Sequence, residues 1–167
     1  RDFSLPGGNF GQRLATDCNY KMTWTFSPSM VRICPAGARH IFASAKRDYF
    51  VSGVSGVGYA NCLSYPREHL DEFTRQTAEA MQRSDLTLLD NVANTADAQF
   101  VQDRLHSYTK FDTIKGGIWE LDPDRYGSGK GRVWWSDGKP FVSVRFTLWY
   151  PSGNMADVTT DWLDEMA

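Results

Sequence analysis

The chain has 167 residues, 41% of them apolar, and a net charge of −2. That length supports one domain with its own core, and the composition excludes wholesale disorder. With no basic stripe there is no reason to expect a nucleic-acid partner, and no run of 18 or more apolar residues is present to span a membrane. Three cysteines, Cys18, Cys34 and Cys62, form an odd count without C-x-x-C spacing. They read as buried thiols, with one disulfide plus a free thiol as the alternative. The chain starts at Arg1 without an initiator Met and reads as a piece of a longer polypeptide.

Residues 1–19 are rich in Gly, Asn and Asp and read as a loop-rich lead-in. Lys21 to Phe26 has strand character, and Ser27-Pro28 then supplies an N-cap and a first-turn proline. The helical segment that follows breaks at Pro35 and resumes toward Ala45, and Asp48 to Ser52 is the next strand. Pro66 opens the clearest helix, with Leu70, Phe73, Thr77, Ala80 and Met81 on one face. Leu86 to Asp90 is short and nearly all apolar, the pattern of a parallel strand buried on both faces. Asp97 to Ser107 forms a second amphipathic helix, and Ile114 to Leu121 a strand whose first half contains Gly116-Gly117. Arg132 to Trp135 and Phe141 to Trp149 flank an Asp137-Gly138 turn and predict a hairpin. Thr159 or Thr160 is placed to cap a last helix. The alternation predicts an α/β layer or barrel, as a single domain over 1–167.

Between the second strand and Pro66 lies a loop with Gly53, Gly56 and Gly58, followed by Tyr59. Loops at strand exits are where α/β folds hold ligands. The spacing is G-x-x-G-x-G with no helix start directly behind it and no following G-K-[ST], which argues against a nucleotide cradle.

The run SGVSGVGYANCLSYP resembles the signature of the GxGYxYP glycoside hydrolase family, with Gly56, Gly58 and Tyr59 in G-x-G-Y and Tyr65-Pro66 as the closing Y-P. Five residues separate the two tyrosines where the strict motif has one. The segment Thr23 to Met30 is similar to the family's tryptophan strand and S-P-S turn, and Gly131 to Trp149 to its late aromatic strand with R-x-x-L-W. The resemblance implies a TIM-like barrel, of which this chain is a part, preceded by a separate N-terminal domain. It also implies a carbohydrate substrate, secretion or cell-envelope residence, and no organic cofactor.

Glycosidic cleavage uses two carboxyls flanking the bond, and barrels place such groups at the C-terminal ends of strands. Asp90, Glu120 and Asp122 meet that condition, and Asp90 with Glu120 is the expected catalytic pair. Ser55, Gly56, Gly58, Tyr59, Asn91, Trp119, Arg145 and Trp149 are the expected sugar-site residues. Aromatic faces suit the apolar faces of sugar rings, and aromatics make up 14% of the chain, including six Trp. Arg145 inside a strand reads either as facing a site or as paired with a buried carboxylate. Asp48, at a strand start, is expected to fix a local turn. Ser55 lacks the G-x-S-x-G context of a nucleophile. His40, His69 and His106 stand apart without metal-ligand spacing, which counts against zinc-dependent deacetylation and leaves a divalent ion on Asp and Asn open. The alternatives to a hydrolase are a non-catalytic glycan-binding or structural module on the same scaffold, and a metal-dependent hydrolase of another substrate.

Overall fold

The computed structural model describes residues 21–45, 47–93, 98–121 and 131–144. Along it run β1 (Thr23–Phe26), α1 (Met30–Ile33), α2 (Pro35–Ser44), β2 (Tyr49–Ser52), α3 (Arg67–Arg83), β3 (Leu88–Ala93), α4 (Ala98–Thr109), β4 (Gly116–Leu121), β5 (Val133–Ser136) and β6 (Lys139–Ser143). Six strands form one sheet in the order β1-β2-β3-β4-β6-β5. Neighbours are parallel except β5, which runs antiparallel to β6. The result is an α/β fold with a mixed sheet. The lead-in over 1–19, Asp122, Arg145, Trp149, Cys18 and the expected last helix lie outside the described residues.

Strand alternation sorts the residues onto two faces. Ser52, Leu89, Gly117 and Phe141 share one register row, and Asn91, Trp119 and Ser143 share another on the same face. That face carries the core, where Leu89, Trp119 and Phe141 join Leu70 and Met81 of α3 and Leu105 and Tyr108 of α4, all fully buried. Phe26, Phe42 and Phe50 extend it to α2, with ring centroids 4.7–6.0 Å apart. Gly117 is required here, because a Cβ would stand 2.2 Å from the Leu89 carbonyl oxygen and 2.7 Å from the Phe141 ring.

The opposite face carries Leu88, Asp90 and Val92 of β3 and Ile118 and Glu120 of β4. Leu88, Val142 and Trp135 on that side are 44%, 43% and 61% exposed. β3 itself is exposed there only at its first residue, Leu88, and buried at Asp90 and Val92, so the expected burial on both faces holds for the middle of the strand and fails at its start. The strand also starts and ends two to three residues later than its apolar run suggests. Leu86 lies in the connection after α3, where its N–H closes the helix terminus on the Met81 carbonyl. Asp90 and Asn91 stay in the strand because β4 pairs β3 residue by residue from Leu88↔Gly116 to Ala93↔Leu121. A complete ladder outweighs the weak strand propensity of Asp and Asn.

At the other end of the sheet, Asp48 accepts hydrogen bonds from the Met22 N–H (3.1 Å) and Trp24 Nε1 (2.7 Å), tying the entries of β1 and β2 together. The late hairpin forms as its sequence predicts. Asp137 (φ 49°) and Gly138 (φ 71°) are both left-handed, the two-residue turn that matches strand twist. Lys139 Nζ donates to the carbonyls of Thr109 and Phe111 (2.8 Å to Phe111), which places a cation on the C-terminal end of α4.

Candidate functional site

The glycine loop leaves β2 at the C-terminal end of the parallel strands and turns back over β3. Ser55 is fully buried and left-handed, with φ 62°. Its N–H donates to the Asp90 carbonyl (2.7 Å), its Oγ accepts from the Val92 N–H (3.4 Å), and its carbonyl accepts from the Tyr108 hydroxyl (3.4 Å). Gly56 follows at φ 111°, and a Cβ there would lie 2.3 Å from Thr77 Oγ1. The same Thr77 hydroxyl oxygen accepts from the Val57 N–H (3.3 Å), while Ser29 Oγ donates to the Val57 carbonyl (2.8 Å). Further along, Asn61 bridges to Val92 in a parallel sense. The glycine at 56 thus lets the backbone press against α3.

Asp90 and Glu120 lie on the same sheet face of adjacent parallel strands, Glu120 one pleat beyond the residue that faces Asp90. Strand spacing and rise put their Cβ atoms about 8 Å apart. Asp90 is 3% exposed and its Oδ1 has no hydrogen-bond partner. Burial, and then the nearby Glu120 charge, push its carboxyl up to about 7. Burial also raises Glu120, which is half-buried. A carboxyl that holds its proton near neutral pH has the character of a general acid.

The remaining expected residues divide. Tyr59 is 76% exposed and Gly58 is exposed beside it. Asn91 and Trp119 are fully buried on the helix-covered face, so the sheet separates them from the two carboxyls. Asn91 faces the Cys62 thiol and the Tyr108 hydroxyl, and Trp119 Nε1 and Ser143 Oγ in its register row have no hydrogen-bond partner among the described residues. Ser55 and Gly56 are engaged inside the fold as described above. The sequence reading passed over Thr77 as a member of an apolar helix face. A hydroxyl in that stripe was the available signal.

Among the described residues no group of three or more His, Cys, Asp or Glu is placed to hold a metal. His106 Nδ1 instead stands 2.9 Å from Asp137 Oδ2 at the hairpin turn. Cys62 is buried, and burial pushes its thiol up to about 12, whereas Cys34 is exposed, against expectation, and neither forms a disulfide. No helix among the described residues is long and apolar enough to cross a membrane.

The sequence places Asp90 at a strand end, but in the fold it is the third of six residues in β3, because the strand runs on to Ala93, whereas Glu120 is next to last in β4. The chain belongs to the GxGYxYP family, matching over residues 17–166 the domain described as "GxGYxYP putative glycoside hydrolase C-terminal domain". It is also similar to a crystal structure described as that of "a putative hydrolase from Bacteroides thetaiotaomicron VPI-5482", with a TM-score of 0.71 and 25% identity. The match covers 83% of this chain and 27% of that one, so the chain spans about a quarter of that protein's length. No curated protein matches the chain.

Proposed function

We propose that this domain contributes the acid machinery of a carbohydrate-active hydrolase, with its sheet forming an arc of a TIM-like barrel and Asp90 and Glu120 facing the lumen. One observation carries the reading: a buried Asp90 carboxyl, its Oδ1 without a hydrogen-bond partner, beside a second carboxyl on the same face, with burial raising its proton affinity. Asp90 then protonates the glycosidic oxygen, and Glu120 acts as nucleophile or base. Their backbone spacing is compatible with the carboxyl separations of about 5–10 Å that such cleavage employs. Tyr59, exposed at the mouth of the loop, offers a ring face to the sugar. Among the described residues the core helices lie against one sheet face, which supports the barrel arc, because open parallel sheets are ordinarily covered on both sides.

The test is reducing-sugar release from a polysaccharide panel by the full-length protein. Asp90→Asn and Glu120→Gln should each lower the rate by about 10²–10⁴-fold. Near wild-type rates in both variants would eliminate the pair. A non-catalytic glycan-binding module is the second reading, favoured by the exposure of Tyr59. It requires glycan binding without release of sugar, lost on Tyr59→Ala and unaffected by either carboxyl variant.

A further inference from the structure

In a parallel ladder, one residue of the neighbouring strand donates its N–H to one carbonyl of the partner and accepts, through its own carbonyl, the N–H two residues on. β2 ends at Ser52, paired with Leu89, and the next main-chain pairing along that edge of β3 is the parallel bridge of Asn61 to Val92, which leaves the Asp90 carbonyl in the gap between them. Ser55 fills that gap: its N–H donates to the Asp90 carbonyl (2.7 Å), and its side-chain Oγ accepts from the Val92 N–H (3.4 Å) beside the Asn61 bridge. The side-chain contact is forced by conformation. At φ 62° the chain cannot continue as a strand, and the Ser55 carbonyl turns away to the Tyr108 hydroxyl. Gly56 against Thr77 then anchors the turn to α3.

We infer that Ser55 is a positioning residue, which holds the Asp90–Val92 backbone as a false strand partner and thereby fixes the Asp90 carboxyl toward the sheet face it shares with Glu120. This rests on the proposed acid role of Asp90. A serine is suited to the task because it is compact enough for a fully buried site and carries an acceptor oxygen one bond from Cβ. The loop of the family signature then acts on chemistry through the strand beneath it, and contact with sugar falls to residues further along, such as Tyr59.

The experiment uses the full-length protein and compares wild type, Ser55→Gly, Tyr108→Phe and Asp90→Asn. Glycine keeps the left-handed turn free of strain and removes the CH2OH group with its acceptor oxygen. Tyr108→Phe removes the donor to the Ser55 carbonyl, together with the hydroxyl's contact to Asn91, and keeps the ring. Hydrogen exchange is read on the β3 peptide relative to the β4 peptide. The Asp90 carboxyl is titrated by infrared difference against Asp90→Asn. In Ser55→Gly the β3 amides should exchange about fivefold faster or more. The Asp90 midpoint should fall toward the ordinary carboxylate range as water gains access. On any polysaccharide that the wild type cleaves, kcat should drop about tenfold with KM little changed. Tyr108→Phe should give smaller changes of the same sign. Unchanged β3 exchange and an unchanged Asp90 midpoint in Ser55→Gly would overturn the inference, and so would a fall in KM-dependent binding alone. If both readouts move while Asp90→Asn hydrolyses at the wild-type rate, the acid role is what fails and the structural clamp remains.

Discussion

β3 and β4 present two faces built from alternate residues of the same ten-odd positions, and the faces obey different rules. Toward the helices lie Leu89, Trp119 and Phe141, fully buried and interlocked with α3 and α4. Toward the other side lie Asp90 and Glu120 among partly exposed Leu88 and Val142. One face gains from close packing, where removed volume leaves a cavity. The other buries a carboxyl whose Oδ1 has no hydrogen-bond partner, which costs stability. The period of two lets one strand serve both ends at once.

The contrast is open to direct attack. Trp119→Ala empties the largest fully buried side chain and should destabilise the domain by about 3–5 kcal/mol, read by urea unfolding with circular dichroism. A much smaller loss would mean that the helix-covered face is not the core. Next in size is a pH effect on the opposite face. A carboxyl with a raised midpoint keeps its proton longer in the folded chain than in the unfolded chain. Its contribution is therefore complete below the unfolded midpoint, near pH 4, and is lost as pH rises toward about 7. Stability should decline by up to a few kcal/mol across that window, and Asp90→Asn should flatten the profile. An identical slope in both proteins would show Asp90 to be ordinary.

Two smaller substitutions sharpen the same contrast. Gly138→Ala meets nothing within 4 Å, so its cost comes from the left-handed backbone alone, about 1 kcal/mol in thermal unfolding. Leu88→Ala, on the half-open face, should cost less than about 1 kcal/mol, well below the same change at buried Leu89, which should cost about 2–5 kcal/mol. Equal losses at Leu88 and Leu89 would show that both faces are equally covered.

Much of this layout was legible in local chemistry. Pro66 before the Leu70–Met81 stripe marked α3, Pro35 marked the break between α1 and α2, and Asp137-Gly138 marked the hairpin, since each acts through φ restrictions or side-chain period within a few residues. The extent of β3 was not legible. Its apolar run stops at Leu89, yet the strand runs on through Asp90 and Asn91 because β4 supplies the ladder. Trp119 and Asn91 invited a ligand-facing reading by residue type alone, and register turned them to the helix side.

By itself the sequence determined the start of α3 after Pro66, the hairpin turn at Asp137-Gly138, the alternation of strand and helix, and the family of the glycine-tyrosine run, because these depend on residues near one another in the chain. The first helix starts at Met30, two residues beyond the Pro28 start that its sequence suggests. Tertiary structure alone decided the strand order, the side on which each β3 and β4 residue falls, and the burial that withholds water from Asp90. Parity on a sheet is set by pairing with a strand about 28 residues away, and a carboxyl's proton affinity is set by whatever the fold brings around it.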